Sequence, residues 1–398
     1  MNLVLHTHPT FLGLTSQAHF AQSLAAAFRL RGHRVDIRSP SARLRHLFPT
    51  GRMSKWAGYI DQYLLFPREL RAAMRNDPGD TLYVFCDQAL GPWIPLAVQR
   101  PHVVHCHDLL ALRSALGEIP ENPTSATGRL YQRYIRRGFR QARHFISISQ
   151  KSRDDLHRYG GVAPITSEVV YNGLNHPYRP LAPDRVRQRF ERAGWLADAP
   201  RCVLHVGGGQ WYKNSVGVVL LYASYARCVL QQGGHPLPLW MVSPPPNAAL
   251  RDALAQVPAA ARVQFFSGLG SETLEALYSH AEVLLFPSLA EGFGWPIAEA
   301  LACGCPVITT DEAPMNEVGG EAATYLRRLA HSDDAEGWAR AGANVLMEVL
   351  ARPVSERERR AAAGRLWAQQ YAVDRSIDGY LSIYRRVLAL ELPAIAAS

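Results

Sequence analysis

The chain has 398 residues, 47% hydrophobic and 19% charged, which excludes a disordered class and exceeds what a single typical core organises, so two domains are expected. The net charge of +9, carried mainly by arginine, fits an anionic partner such as a nucleotide ligand or an acidic lipid surface. No nucleic-acid-reading motif and no run of about 18 apolar residues is present, so neither a nucleic-acid partner nor a membrane-spanning helix is expected.

The chain opens on MNLVLHTHPTF, a short apolar strand over 2–6 without a basic leader, which predicts no secretory signal and a cytoplasmic location. An amphipathic helix over 16–31, closed by Gly32, and a second strand over 34–38 follow. Buried strands are predicted over 81–86, 102–105, 144–147 and 168–171. Such alternation predicts parallel strands with helical crossovers. Ligands of such sheets sit at the carboxyl ends of the strands, which places the loops 8–16, 86–88, 105–108 and 172–173 on one rim. Arginines are dense over 43–71, interleaved with Trp56, Tyr59, Tyr63 and Phe66, and again in RLYQRYIRRGFRQAR over 129–143. Helices of that composition suit an anionic leaflet and equally a solvated surface.

After Asn172-Gly173 the chain turns polar and proline-bearing, then enters a charged helix over 185–193. A second alternating half opens with a strand over 202–206, with further strands over 238–242, 263–266, 283–286 and 306–309. The domains are drawn at 1–180 and 181–375, with a last amphipathic helix from 376 to 398. Six cysteines without paired spacing read as buried free thiols.

Three places carry chemistry. The strand over 202–206 runs into Gly207-Gly208-Gly209-Gln210-Trp211-Tyr212-Lys213-Asn214, where glycines permit close backbone approach and Lys213 can reach a diphosphate. His105-Cys106-His107-Asp108 ends a strand on the ligand rim. It reads as a metal cluster with His6 and His8, as a hydroxyl-orienting histidine, or as satisfied polar groups. With the apolar run 281–286 before it, the stretch SLAEGFGWPIAEALACGCPVIT over 288–309 reads as part of a strand, glycine turn and helix unit, with Pro296 at the helix start and Gly304 at its end. The N–H groups of such a helix start suit an anion, while Glu291 and Glu299, acceptor-only and eight positions apart, suit hydroxyl donors such as ribose and a sugar ring.

That last stretch resembles the signature of the family 4 retaining glycosyltransferases, a Glu-x7-Glu element within PS-x-x-EGFG-x-P-x-x-EA-x-x-x-G-x-P-V. The match runs through Pro287, Ser288, Glu291, Gly292, Phe293, Gly294, Pro296, Glu299, Ala300, Gly304, Pro306 and Val307. The resemblance implies the α/β GT-B fold, two Rossmann-like doubly wound parallel-sheet domains facing a central cleft, with the final helix packed back on the first domain. It implies a nucleotide-sugar donor and a glycan or lipid-linked hydroxyl acceptor, no cofactor and no metal. On that pattern Glu299 binds the ribose, Glu291 the transferred sugar, and Lys213 with Gly207, Gly208 and the 292–294 backbone the diphosphate. His107 contacts the donor sugar, with Asp108 positioning it or the following loop. Two departures stand out: glycine occupies the place of the usual diphosphate-binding arginine, and Gly13 stands alone where relatives carry a Gly-Gly pair. A GT-B epimerase or phosphorylase, or an inactive nucleotide-binding protein of the same fold, is the alternative.

Overall fold

A computed structural model describes residues 1–12, 15–48, 50–195 and 199–396. The chain divides into two compact units, Met1–Asn172 with Asp374–Ser398, and Gly173–Val373. The first break falls before residue 180 because the connector is tied into unit 2. There the Arg179 and Leu181 N–H groups donate to Glu275 Oε1 and Ser279 Oγ of the helix Ser271–His280.

Unit 1 holds six parallel strands: β1 (Asn2–His6), β2 (Arg34–Arg38), β3 (Thr81–Phe85), β4 (His102–Cys106), β5 (His144–Ser147) and β6 (Thr166–Val169), in the order β2-β1-β3-β4-β5-β6. The central strands β3 to β5 are buried at every position, as expected of a parallel sheet covered on both faces. On one face Leu3, Leu5, Leu82 and Val84 pack against Ile377, Tyr380, Leu381 and Tyr384 of the helix Val373–Ala396. Buried polar contacts fix that helix: Ser376 donates to the Tyr171 carbonyl at 2.7 Å, and His144 Nε2 lies 2.8 Å from Glu391 Oε1.

Unit 2 repeats the design with β7 (Val203–Val206), β8 (Leu239–Val242), β9 (Val263–Phe266), β10 (Val283–Phe286), β11 (Val307–Thr310) and β12 (Thr324–Leu326). All are parallel, in the order β12-β11-β10-β7-β8-β9. Its core joins Val203, Met241 and Leu285 to Val218, Leu221 and Tyr222 of the helix Ser215–Gln231. All six cysteines are free, and all but the half-buried Cys228 are buried. Among the described residues no helix is long and apolar enough to cross a membrane.

Candidate active site

In unit 2 the chain runs outward from β7 through β8 and β9, then returns to β10 on the other side of β7. The loops after β7 and β10 therefore leave the sheet side by side at its topological switch point, where open α/β sheets leave room for a ligand. Two hydrogen bonds join them, from the Leu289 N–H to the Tyr212 carbonyl at 2.7 Å and from Asn214 Nδ2 to the Pro287 carbonyl at 3.0 Å. Asn214 takes a left-handed conformation (φ 54°), which its short amide tolerates, and its Oδ1 accepts the Gly217 N–H to cap the helix Ser215–Gln231.

Lys213 and Glu291, one from each loop, meet here. Lys213 Nζ lies 2.8 Å from Glu291 Oε1, and both side chains are largely buried. The same carboxylate oxygen accepts the Ser288 hydroxyl at 2.8 Å. The ammonium also stands 4.8 Å from the centre of the Phe286 ring. Of its three donors, Glu291 engages one. The helix Trp295–Ala302 begins just beyond, with Gly294, which has no side chain to cap it, at its N-cap (φ 103°). Its positive dipole end therefore faces the same loop.

Glu299 sits within that helix, buried, with Oε2 accepting the Tyr278 hydroxyl at 2.8 Å. Burial pushes its carboxyl up to about 7, against the hydrogen bond from Tyr278, the charge of Lys213 and a further bond from Tyr178. Three residues expected at the donor also have local packing partners. The Phe293 side chain is buried against Trp295 and Tyr371, with ring centroids 5.7 and 5.4 Å away, so it anchors the turn to the core. Gly207 donates its N–H to the Val242 carbonyl, and a Cβ there would stand 2.7 Å from His205 Nε2, so its smallness serves His205. At Gly208 a Cβ would collide with the Gln210 side chain. Gly292 lies in the turn beside Glu291, and Gly13 lies outside the described residues.

Sequence reasoning missed three neighbours here. Tyr278 comes from another helix. Arg328, just past β12, donates its Nε to the Leu289 carbonyl at 2.8 Å and so brings a guanidinium to the loop. His205 donates Nδ1–H to the Leu285 carbonyl at 2.9 Å, while its buried Nε2 has no partner among the described residues. Burial lowers its pKa to about 4.

Unit 1 has its own switch point, between β1 and β3. His8, after β1, places Nε2 3.0 Å from Asp87 Oδ2, after β3, and Asp87 Oδ1 accepts the Ala89 N–H at 2.8 Å. Burial works against ionisation of Asp87, but His8, His107 and the Ala89 N–H outweigh it and hold the carboxyl below its usual range. His107 lies at the end of β4 with Nε2 2.8 Å from the Cys86 carbonyl. A carbonyl only accepts, so Nε2 carries the proton and Nδ1 the lone pair. Burial lowers the His107 pKa, with Asp87 opposing, and the ring is a neutral imidazole with the Phe20 ring edge-on at 4.7 Å. Asp108 serves the following turn, its Oδ1 accepting the Leu110 N–H at 3.0 Å; Asp87 is the carboxylate that acts on His107.

The metal reading of the histidine pairs is not carried by this geometry. His6 packs among Phe66, Tyr83 and Phe85, and His105 Nε2 meets the Tyr384 hydroxyl at 2.7 Å. Among the described residues no group of three or more histidine, cysteine or acidic side chains is placed to hold a metal ion.

Comparison with known proteins decides the family. Residues 200–348 match the model of the group 1 glycosyl transferases, and residues 17–176 match that of Glycosyltransferase Family 4. The chain belongs to the group 1 and family 4 glycosyltransferases. It is 25% identical over 269 residues to the O-antigen chain mannosyltransferase B of Escherichia coli, covering 66% of this chain and 65% of that protein. Its identity to the O-antigen chain mannosyltransferase RfbU of Salmonella typhimurium is 23% over 227 residues, 56% of this chain and 57% of that one. The chain thus spans less than two thirds of the length of these two relatives. With the D-inositol 3-phosphate glycosyltransferase of Rhodococcus erythropolis it shares 28% over 331 residues, 80% of this chain and 70% of that one.

Among solved structures, the sucrose-phosphate synthase of Thermosynechococcus elongatus superposes with a TM-score of 0.71 at 19% identity, covering 98% and 100% of the two chains. An Anabaena protein solved with UDP and glucose superposes with a TM-score of 0.65 at 15% identity, covering 97% and 100%. At these identities the shared property is the GT-B fold.

Proposed function

We propose that this glycosyltransferase moves a hexosyl group from a nucleoside diphosphate sugar to a hydroxyl acceptor, with retention at the anomeric carbon. The acceptor is a growing glycan or a lipid-linked sugar in polysaccharide, lipopolysaccharide or glycolipid synthesis, at the cytoplasmic side. The observation that carries this reading is the Lys213–Glu291 pair at the switch point of unit 2, set against the start of the helix that holds Glu299. Pathway and donor class draw on the mannosyltransferase relatives and on the UDP-bound neighbour.

Each group has a chemical task. The ribose hydroxyls donate to the Glu299 carboxylate. The diphosphate lies against Lys213 and the N–H groups at the start of the helix Trp295–Ala302, whose fixed charges grow in value as the glycosidic bond breaks. Arg328 stands in for the arginine absent from the 207–209 turn. Glu291 accepts from the transferred sugar and offsets positive charge developing at its anomeric carbon. In unit 1, neutral His107 offers Nδ1 as acceptor to a sugar hydroxyl. The acceptor oxygen attacks from the face the diphosphate leaves, and a departing phosphate oxygen takes its proton. Protein cations meet the leaving charge, so turnover is expected to be indifferent to EDTA. The test is a transfer assay over donor sugars with NMR of the product linkage. A new glycosidic bond with the donor's anomeric configuration is expected; inversion, or turnover without an acceptor, would overturn the proposal.

A further inference from the structure

Two stretches of unit 1 contain no acidic residue at all, 38–60 and 122–153. They form the helices Leu44–Leu47, Gly51–Ile60 and Ala126–Phe139. An aromatic seam joins the last two. Tyr63, just past the helix Gly51–Ile60, shares a hydroxyl–hydroxyl hydrogen bond of 2.6 Å with Tyr131, and the Tyr59 and Tyr131 ring centroids are 6.1 Å apart.

Near this seam large apolar side chains stand in solvent. Trp56 is 66% exposed, Met53 58% and Leu130 67%. On the helix Ala126–Phe139, Leu130, Arg133, Tyr134 and Arg137 recur at helical spacing on one side and are all exposed, while Ile135 and Phe139 turn into the core. Lys55 lies beside Trp56, its Nζ 5.9 Å from the centre of the Tyr59 ring. Contiguous exposed apolar side chains ringed by positive charge mark an interaction surface.

We infer that this basic, apolar-tipped face of unit 1 docks on an anionic lipid leaflet. The basic side chains supply attraction to the headgroups, and each loses strength with added salt. Tryptophan, tyrosine and the aliphatic tips enter the headgroup boundary, where amphipathic rings are favoured. A polyanion such as nucleic acid meets the charges but gives Met53 and Leu130 no apolar medium, which favours lipid. The inference rests on the transferase reading only for the lipid-linked acceptor the enzyme would meet there. Vesicle binding is measured without sugar transfer, so either can fail alone.

The test is co-sedimentation of the full chain with vesicles of phosphatidylcholine, alone or mixed with phosphatidylglycerol, at low and high salt. Binding to the anionic vesicles at low salt, absent on pure phosphatidylcholine, is expected. The double variant Met53→Ser with Trp56→Ser and the double variant Arg133→Glu with Arg137→Glu each lower partitioning by about tenfold or more. Both keep the wild-type melting temperature, because the replaced side chains are exposed. No binding at low salt would overturn the inference. So would binding that ignores the Met53 and Trp56 replacements and is competed away by an oligonucleotide, since that would mark a plain polyanion site.

Discussion

Replacing Glu299 by glutamine separates what this carboxyl does for the fold from what it does for the donor. Burial raises its pKa from 4.5 to about 7. The folded chain therefore holds a proton that the unfolded chain releases between those values, and stability falls as pH rises through that window. At about 1.4 kcal/mol per pH unit, ionising Glu299 in place costs unit 2 about 3 kcal/mol above pH 7. Glutamine keeps the shape and the acceptor for Tyr278 but never ionises. Glu299→Gln should match wild type near pH 4.5 and melt higher at pH 8, by about 6–12 °C for a unit of this size. The same variant should lose most nucleotide-induced stabilisation, because an amide oxygen is a weaker acceptor for ribose hydroxyls than a carboxylate. Calorimetry at both pH values, with and without nucleotide, reads both effects. A variant less stable than wild type at pH 8 by the same margin as at pH 4.5 would refute the argument, since Glu299 would then carry no penalty for its charge.

The same proton makes donor affinity pH-dependent. A nucleotide sugar, whose doubly esterified diphosphate does not titrate near neutrality, should bind about tenfold more weakly for each pH unit below 7, read by isothermal titration; a flat profile would refute this. Lys213→Ala should lower kcat/KM for the donor by about 10–100-fold, the worth of a charged hydrogen bond, and should also lower the melting temperature, because the largely buried Glu291 carboxylate loses its cation. Gly207→Ala drives a methyl to 2.7 Å from the buried, tethered His205 ring and should cost about 1–3 kcal/mol in denaturant titration. Asp87→Asn removes the charge that props up His107, so the His107 pKa should fall further in an NMR titration, with kcat/KM for the donor sugar down about tenfold.

Much of the fold was legible because buried parallel strands write themselves as short apolar runs. The expected strands over 2–6, 144–147 and 283–286 coincide with β1, β5 and β10. Two of the edge strands lack that signal: β12 has only three residues and was not expected, and β6 begins two residues before the predicted 168. The site was legible as loops and was not legible as contacts. Lys213 and Glu291 lie in turns 78 residues apart, and only the return of the chain from β9 to β10 brings them to 2.8 Å. The burial of Glu299 leaves no trace in the sequence around it, because the Tyr278 bonded to it belongs to another helix. Asp87 ends an apolar strand with no motif around it, and its partner His8 lies on the loop after a different strand.

The central claim, that unit 2 holds a nucleoside diphosphate sugar through Lys213, Glu291 and Glu299, is tested most directly by a thermal-shift panel. UDP, GDP, ADP, dTDP and their sugar conjugates are compared on wild type and Lys213→Ala, with and without EDTA. A ligand at 100 times its Kd stabilises by about 2.7 kcal/mol, a shift of several degrees. One base should stand out, unaffected by EDTA and sharply reduced in Lys213→Ala. No shift with any nucleotide, or equal shifts in wild type and variant, would contradict the account.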